Sequence, residues 1–314
     1  MNSYAPVVVF VYNRADVAEV TLNALDKCEE SAESDLFIFA DGAKDNSTIH
    51  TVEEVRECIN NFKNLNHFRR VEIVAQKKNK GLAKSVIDGV TEIIKKYGRV
   101  IVVEDDCAVT ASFLKFMNKS LDFYEEDMSI GSITGWSPRL KFPNGYNTDV
   151  FCVARSCSLC WATWKNRWET VDWEMKNYKD IRYDFGLIYR VNRTGSDRFY
   201  RLIRQMKYNV QSWSVRFGIT LVLNGQNTIY PRYSYVQNIG NDDRGTHFSG
   251  EQLKGAFAVS FGDAIADPEL ERVTPVRFIE RQFLKIYSGS LRHRVLRWLY
   301  VHGGERIADA MRKN

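Results

Sequence analysis

Nothing in this 314-residue chain approaches the roughly 18 to 20 consecutive apolar residues that a membrane span requires. A charged-then-apolar leader is missing as well. MNSYAPVVVFVYNR runs directly into what reads as a folded strand, so a cytoplasmic chain is expected. The six cysteines, Cys28, Cys58, Cys107, Cys152, Cys157 and Cys160, are scattered. Only Cys157-x-x-Cys160 forms a close pair, and no second pair or nearby histidine completes a zinc set, which favours reduced, mostly buried thiols. The formal charge of +5 is too small for a dedicated nucleic-acid binder. Internal repeats and low-complexity tracts are absent too.

Several motifs are also missing. No Gly-x-Gly-x-x-Gly follows the first apolar run, where the chain reads Asn-Arg-Ala-Asp, so the dinucleotide fingerprint is excluded. Lys80-Gly81-Leu82-Ala83-Lys84-Ser85 superficially resembles a phosphate loop but lacks the paired glycines and follows the third run. No Gly-x-Ser-x-Gly elbow supports a serine hydrolase.

What is present is a regular alternation. Val7–Tyr12, Leu36–Ala40, Val71–Ala75 and Val100–Val103 are short, nearly continuous apolar runs, the pattern of strands buried on both faces. Helical patterns separate them. After Gly81, Leu82, Val86, Val90, Ile93 and Tyr97 recur at three- and four-residue steps. Roughly thirty residues per repeat is the length of a βαβ unit, which predicts an α/β fold with a doubly wound, mostly parallel sheet. Phe113, Met117, Leu121 and Tyr124 mark a further helix, after which the alternation is lost and Trp, Tyr and Arg become frequent up to about residue 250. Residues from about 251 to 275 read as a polar connector, and the last forty are basic with a helical pattern.

Ligands of open parallel sheets bind beyond the carboxyl ends of the strands. Four such ends here are followed by Asn13-Arg14, Asp41-Gly42, Lys77 to Lys80, and Glu104-Asp105-Asp106. Arg14 and Asp41 taken alone read as solvated loop residues. Three adjacent carboxylates at a ligand rim repel one another and call for a cation. A rim that mixes basic and acidic residues suits a phosphorylated ligand bridged by a hard ion such as Mg²⁺ or Mn²⁺.

The order strand-Asn-Arg, strand-Asp-Gly, lysine-rich turn and helix, strand-Glu-Asp-Asp resembles the GT-A (Rossmann-like) glycosyltransferases. The likeness is nearest to the N-acetylglucosaminyltransferase I superfamily and bacterial surface-polysaccharide transferases. It runs on through Ser132-Ile133-Thr134-Gly135-Trp136, Cys160-Trp161-Ala162-Thr163-Trp164, Trp213, Ile229-Tyr230-Pro231 and Gly245-Thr246-His247. The resemblance implies a catalytic domain over residues 1–250, with 1–106 the nucleotide-binding half and 107–250 the acceptor half, followed by a connector and tail over 251–314. It implies a metal-dependent, inverting transfer of a hexosyl or N-acetylhexosaminyl group from a UDP-sugar to a saccharide or lipid-linked saccharide acceptor. Arg14, Asp41, Lys80, Glu104, Asp105 and Thr246 would contact the donor, and Asp106 would ligate the metal. His247 reads either as a further ligand or as an ordinary packed histidine. Trp136, Trp161, Trp164 and Trp213 read either as an acceptor platform or as a plain aromatic core. The fold-related alternative is a sugar-nucleotidyltransferase, which would carry a glycine-rich loop after the first strand.

The chain departs from that family at one position. The base of the superfamily is an aspartate directly after the tryptophan matching Trp213, and here Ser214 stands there. A serine cannot take a proton unaided at neutral pH, so Asp242 or Asp243 is the expected substitute, with Glu169, Asp172 and Asp184 as further candidates. Ser214 also admits a non-catalytic nucleotide-sugar binder. Finally, the sequence from Val276 interleaves apolar Phe278, Phe283, Leu284, Ile286, Leu291, Val295, Leu296 and Leu299 with six basic residues. That composition fits a helix lying on the inner face of an anionic membrane, and fits equally a helix packed on the catalytic domain.

Overall fold

The computed structural model describes residues 4–240 and 264–313. Strands β1 (Val7–Val11), β2 (Asp35–Ala40), β3 (Arg70–Ala75) and β4 (Arg99–Glu104) come first, separated by α1 (Ala15–Asp26), α2 (Ile49–Leu65) and α3 (Leu82–Tyr97). All four strands are parallel, in the order β3-β2-β1-β4. The chain builds outward from β1 to β3, then crosses back to place β4 on the free side of β1. That reversal is a topological switch point, and it leaves a crevice beyond the carboxyl ends of β1 and β4.

The expected strands are therefore found, with one difference. β1, β2 and most of β4 are buried throughout, but β3 is half-exposed. It is the edge of the sheet, and Arg70 and Glu72 pair across its open side at 2.6 Å. Helix α3 begins at Gly81, whose φ of +76° suits glycine, and ends at Gly98 in the left-handed region.

The second half adds β5 (Cys107–Val109), α4 (Phe113–Phe123), β6 (Ile130–Thr134), β7 (Val150–Val153), β8 (Trp161–Trp164), β9 (Asn227–Pro231) and β10 (Val236–Asn238). β8 inserts antiparallel between β4 and β6, and β9 and β7 complete an eight-stranded mixed sheet. β5 and β10 form a separate antiparallel pair. Between β8 and β9 lie α5 (Lys165–Trp168), α6 (Tyr178–Ile181), α7 (Phe185–Asn192), α8 (Arg198–Tyr208) and α9 (Trp213–Leu223).

The tail forms α10 (Arg277–Ser288), α11 (Leu291–Val301) and α12 (Glu305–Lys313). Part of its apolar side packs on the domain. Phe283 is fully buried, edge-on to Phe151 and Tyr230, and Leu296 and Tyr300 are buried with α8. Arg193 grips the buried Glu280 through two hydrogen bonds, and Arg182 donates to the carbonyls of Tyr300 and Val301. Of the eight apolar side chains that suggested lipid contact, Phe283 and Leu296 are buried in the domain, Ile286 and Leu299 are half-buried, and Phe278, Leu284, Leu291 and Val295 remain exposed.

Candidate active site

The switch-point crevice is where the acidic triplet falls. Glu104 ends β4 in register with Phe10 of β1, and Asp105 and Asp106 form the turn into β5. A helix and a distant loop hold this turn. Thr21, fully buried on α1, donates from its hydroxyl to the Asp105 carbonyl at 2.8 Å and accepts from the Cys107 amide at 3.1 Å. Thr21 therefore clamps the backbone on both sides of Asp106. From the other side, β10 delivers the Ile239 amide to the Asp106 carbonyl at 2.8 Å. Gly240 then packs so closely that a Cβ there would sit 2.2 Å from Asp106 Oδ2. Neither Thr21 nor Gly240 was singled out from the sequence, since their partners lie 84 and 134 residues away along the chain.

Electrostatics mark the same place. Burial, then the charges of Asp106 and Asp105, push Glu104 well above the usual carboxylate range. Asp105 rises to about 7, through burial first and Asp106 second, while Arg14 pulls the other way. Arg14 lies over the crevice and donates from Nη1 to the Gly240 carbonyl at 3.4 Å. Crowded carboxylates with raised pKa values gain most from a nearby cation.

By donor chemistry the triplet suits a hard divalent ion. Carboxylate oxygens are the right donors, and Mg²⁺ or Mn²⁺ commonly takes one or two of them, leaving the remaining positions to water and phosphate. Among the described residues no group of three or more His, Cys, Asp or Glu is placed to hold a metal ion. The Cys107 thiol donates to Asp106 Oδ1 at 3.7 Å, and its hydrogen bond with Cys160 and its burial push its pKa up. Cys160 thus partners Cys107, not Cys157, and all six cysteines are free thiols.

Asp41 occupies the neighbouring strand end with a different task. It is 7% exposed, and its carboxylate accepts from the amides of Gly42, Lys80 and Gly81 at 2.8 to 2.9 Å. Asn79 returns a bond to the Gly42 carbonyl at 2.8 Å. The Asp-Gly pair and the lysine-rich turn are thereby tied into one wall of the crevice. The Lys80 ammonium turns away to Asp88 at 3.3 Å, leaving only its backbone in this wall.

The tryptophans pack inside the protein. Period-two alternation along β8 sends Trp161 to one side of the sheet and Trp164 to the other. Trp161 is fully buried and stacks on Trp213 and Trp168, with ring centroids 4.9 and 5.7 Å apart. Trp164 donates from Nε1 to the Leu121 carbonyl and carries Arg167 over its ring at 4.5 Å. Trp136 is 3% exposed in the same core as Trp164. Of the two readings open for these rings, the aromatic core describes them.

Ser214 sits in the first turn of α9, half-buried, its hydroxyl 3.4 Å from that of Ser212. The other candidate bases have local partners. Asp184 caps α7 through the Leu187 amide, Asp172 accepts from the Glu174 and Lys176 amides, and Glu169 faces Lys165 at 4.0 Å. Asp242, Asp243, Thr246 and His247 lie outside the described residues.

A Rossmann-like parallel half-sheet, an acidic triplet at its switch point and an antiparallel extension beyond it define a GT-A class protein. The family model "Glycosyl transferase family 2" matches residues 7–234, and the chain belongs to that family. No curated protein sequence matches it. Among solved structures, the crystal structure of S. aureus TarS 1-349 is 16% identical with a TM-score of 0.39, over 74% of this chain and 59% of that one. A second structure of S. aureus TarS is 14% identical at a TM-score of 0.39, over 74% of this chain and 36% of that one.

Proposed function

We propose that this glycosyltransferase moves a sugar from a nucleotide diphosphate donor, UDP-linked, to a saccharide acceptor, with Mn²⁺ or Mg²⁺ at Asp106. The carrying observation is the Glu104-Asp105-Asp106 turn at the switch point, held from two sides by Thr21 and Gly240. A bound divalent ion would offset the charge that develops on the departing diphosphate. The chain's own residues would do the rest. Arg14 reaches over the crevice with a permanent positive charge suited to phosphate oxygens. Glu104 and Asp105 would accept hydrogen bonds from ribose or sugar hydroxyls, and Asp41 would hold the nucleotide-side wall through its three amides.

A base must take the proton of the attacking acceptor hydroxyl, and Ser214 cannot do so alone. Asp242 or Asp243 would fill that role, with Thr246 and His247 close in sequence for the diphosphate and the ion. Attack opposite the leaving group inverts the anomeric centre. A hexose or N-acetylhexosamine as the donor sugar, and a polysaccharide-building acceptor, carried on lipid or free, follow from the family resemblance.

A donor panel tests this reading. The protein should release nucleotide from one or a few UDP-sugars when Mn²⁺ or Mg²⁺ is present. Release should cease on chelation and in Asp106→Asn. A protein that binds a donor with its usual affinity in Asp106→Asn, and releases no nucleotide in any form, would be a non-catalytic binder, the reading that Ser214 favours.

A further inference from the structure

Although the tail is anchored to the domain, one of its faces is left outside. On α11, Leu291, Val295, Trp298 and His302 follow one another at helical spacing, and Leu291 and Trp298 are 73% and 59% exposed. α7 contributes Phe185 and Tyr189, one turn apart and 64% and 72% exposed. The two helices meet through stacked rings. The His302 imidazole lies 4.4 Å from the Trp298 ring and 5.9 Å from Phe185, nearly parallel to both. The result is a continuous outward-facing aromatic stripe across two elements, which a soluble surface does not ordinarily carry.

The charge carried on the two helices is basic, with Asp184 at the N-cap of α7 and Glu305 after His302 the acids at the stripe's ends. α7 and α11 contain no aspartate or glutamate, while Arg190 and Arg294 are exposed on them. Between Val276 and Gly304 the only acid is Glu280, which is buried against Arg193. Trp, Tyr and Phe beside arginines is the composition that sits at the headgroup level of a bilayer, with rings at the acyl boundary and guanidinium groups on phosphates. A sugar chain is a poorer occupant. It stacks on a free ring, whereas Trp298 and Phe185 already stack on His302.

We propose that the α7–α11 face docks this protein on an anionic bilayer surface. Contact comes from a composite patch of two helices, not from a tail that detaches and lies in the membrane. Docking requires neither donor nor metal, so it stands apart from the proposed reaction.

Flotation of the full-length protein with vesicles tests it. The chain should rise with phosphatidylcholine vesicles containing phosphatidylglycerol at low salt, and stay down with phosphatidylcholine alone. Binding should be lost at about 1 M salt, where the Debye length falls to roughly 3 Å. Phe185→Ser with Trp298→Ser should weaken partitioning at least about tenfold, as should Arg190→Glu with Arg294→Glu. The charge pair lies wholly on the exposed surface, so it decides the matter even if the aromatic pair fails to fold. Wild-type protein that ignores anionic vesicles overturns the proposal. So does binding unchanged in the folded charge variant, equal binding to neutral vesicles, or capture by an acidic polysaccharide without vesicle binding.

Discussion

Gly240 and Asp106 are in backbone-to-carboxylate contact, so close that a methyl group on Gly240 would lie 2.2 Å from Oδ2 and 2.6 Å from the Asp106 Cβ. The end of β10 therefore sets where the central carboxylate of the crevice points. Gly240→Ala must displace one of the two. Because misplacing a reacting or charge-bearing group by about 1 Å can cost roughly 10²-fold, turnover should drop on that order, with circular dichroism unchanged. Steady-state rates at saturating donor decide it; a variant within about twofold of wild type would show that Asp106 tolerates movement.

Asp41 makes a different forecast. In Asp41→Asn the amide nitrogen would face backbone N–H donors, and the three present bonds would lose an ionised acceptor. Losing charge-assisted bonds at a buried site costs about 2 to 3 kcal/mol. Thermal unfolding should shift downward accordingly, and, if this wall positions the donor as proposed, donor KM should rise more than kcat falls. An unchanged melting temperature would sink the assignment.

How far the sequence revealed this site depended on the distance over which each feature is encoded. β1, β2 and β4 were legible because strands buried on both faces need only local apolar runs, and the triplet at the end of β4 stood out against them. The Trp161–Trp164 block was harder. It read only as an aromatic block, because a strand that inserts antiparallel into the sheet middle is defined by β4 and β6, and these lie far away in sequence. Thr21 and Gly240 carry no local signal at all. A threonine on an amphipathic helix and a glycine after a short strand acquire meaning only when folding brings both to Asp106. The tail was ambiguous for a physical reason: an amphipathic basic helix can bury its apolar side in lipid or in protein, and here α10 and α11 bury only part of theirs against the domain.

The missing base yields a third prediction. If Asp242 or Asp243 takes the acceptor proton in place of Ser214, the responsible Asn variant should lose about 10²-fold or more in turnover with donor affinity nearly intact. Its pH–rate profile should also lose the acidic limb. Normal turnover in both variants would place the base elsewhere, and a gain in Ser214→Asp would show that the α9 position still faces the acceptor.

The last prediction concerns the link between tail and domain. Asp197 accepts a bidentate pair from Arg155 at 2.9 Å, both residues being buried, and Arg155 lies 3.5 Å over the ring of Tyr287 on α10. Burial alone would raise the Asp197 pKa, but the Arg155 charge and its hydrogen bonds outweigh that and hold it at about 2. A carboxyl group depressed in the folded state adds stability that is complete above its unfolded value, near 4, and is lost as pH falls toward the folded one. The contribution is roughly 2 kcal/mol, disappearing between about pH 4 and pH 2. Asp197→Asn should destabilise the protein at neutral pH by about 3 kcal/mol, since it strands the Arg155 charge. It should also flatten the acid limb of stability against pH in that window. Removing residues after 275 should be worse still, because Ile279, Phe283 and Tyr300 would leave the cores they fill. Urea unfolding at pH 7 and at pH 3 measures both effects; a truncated chain as stable as the whole would show that α10 to α12 merely rest on the domain.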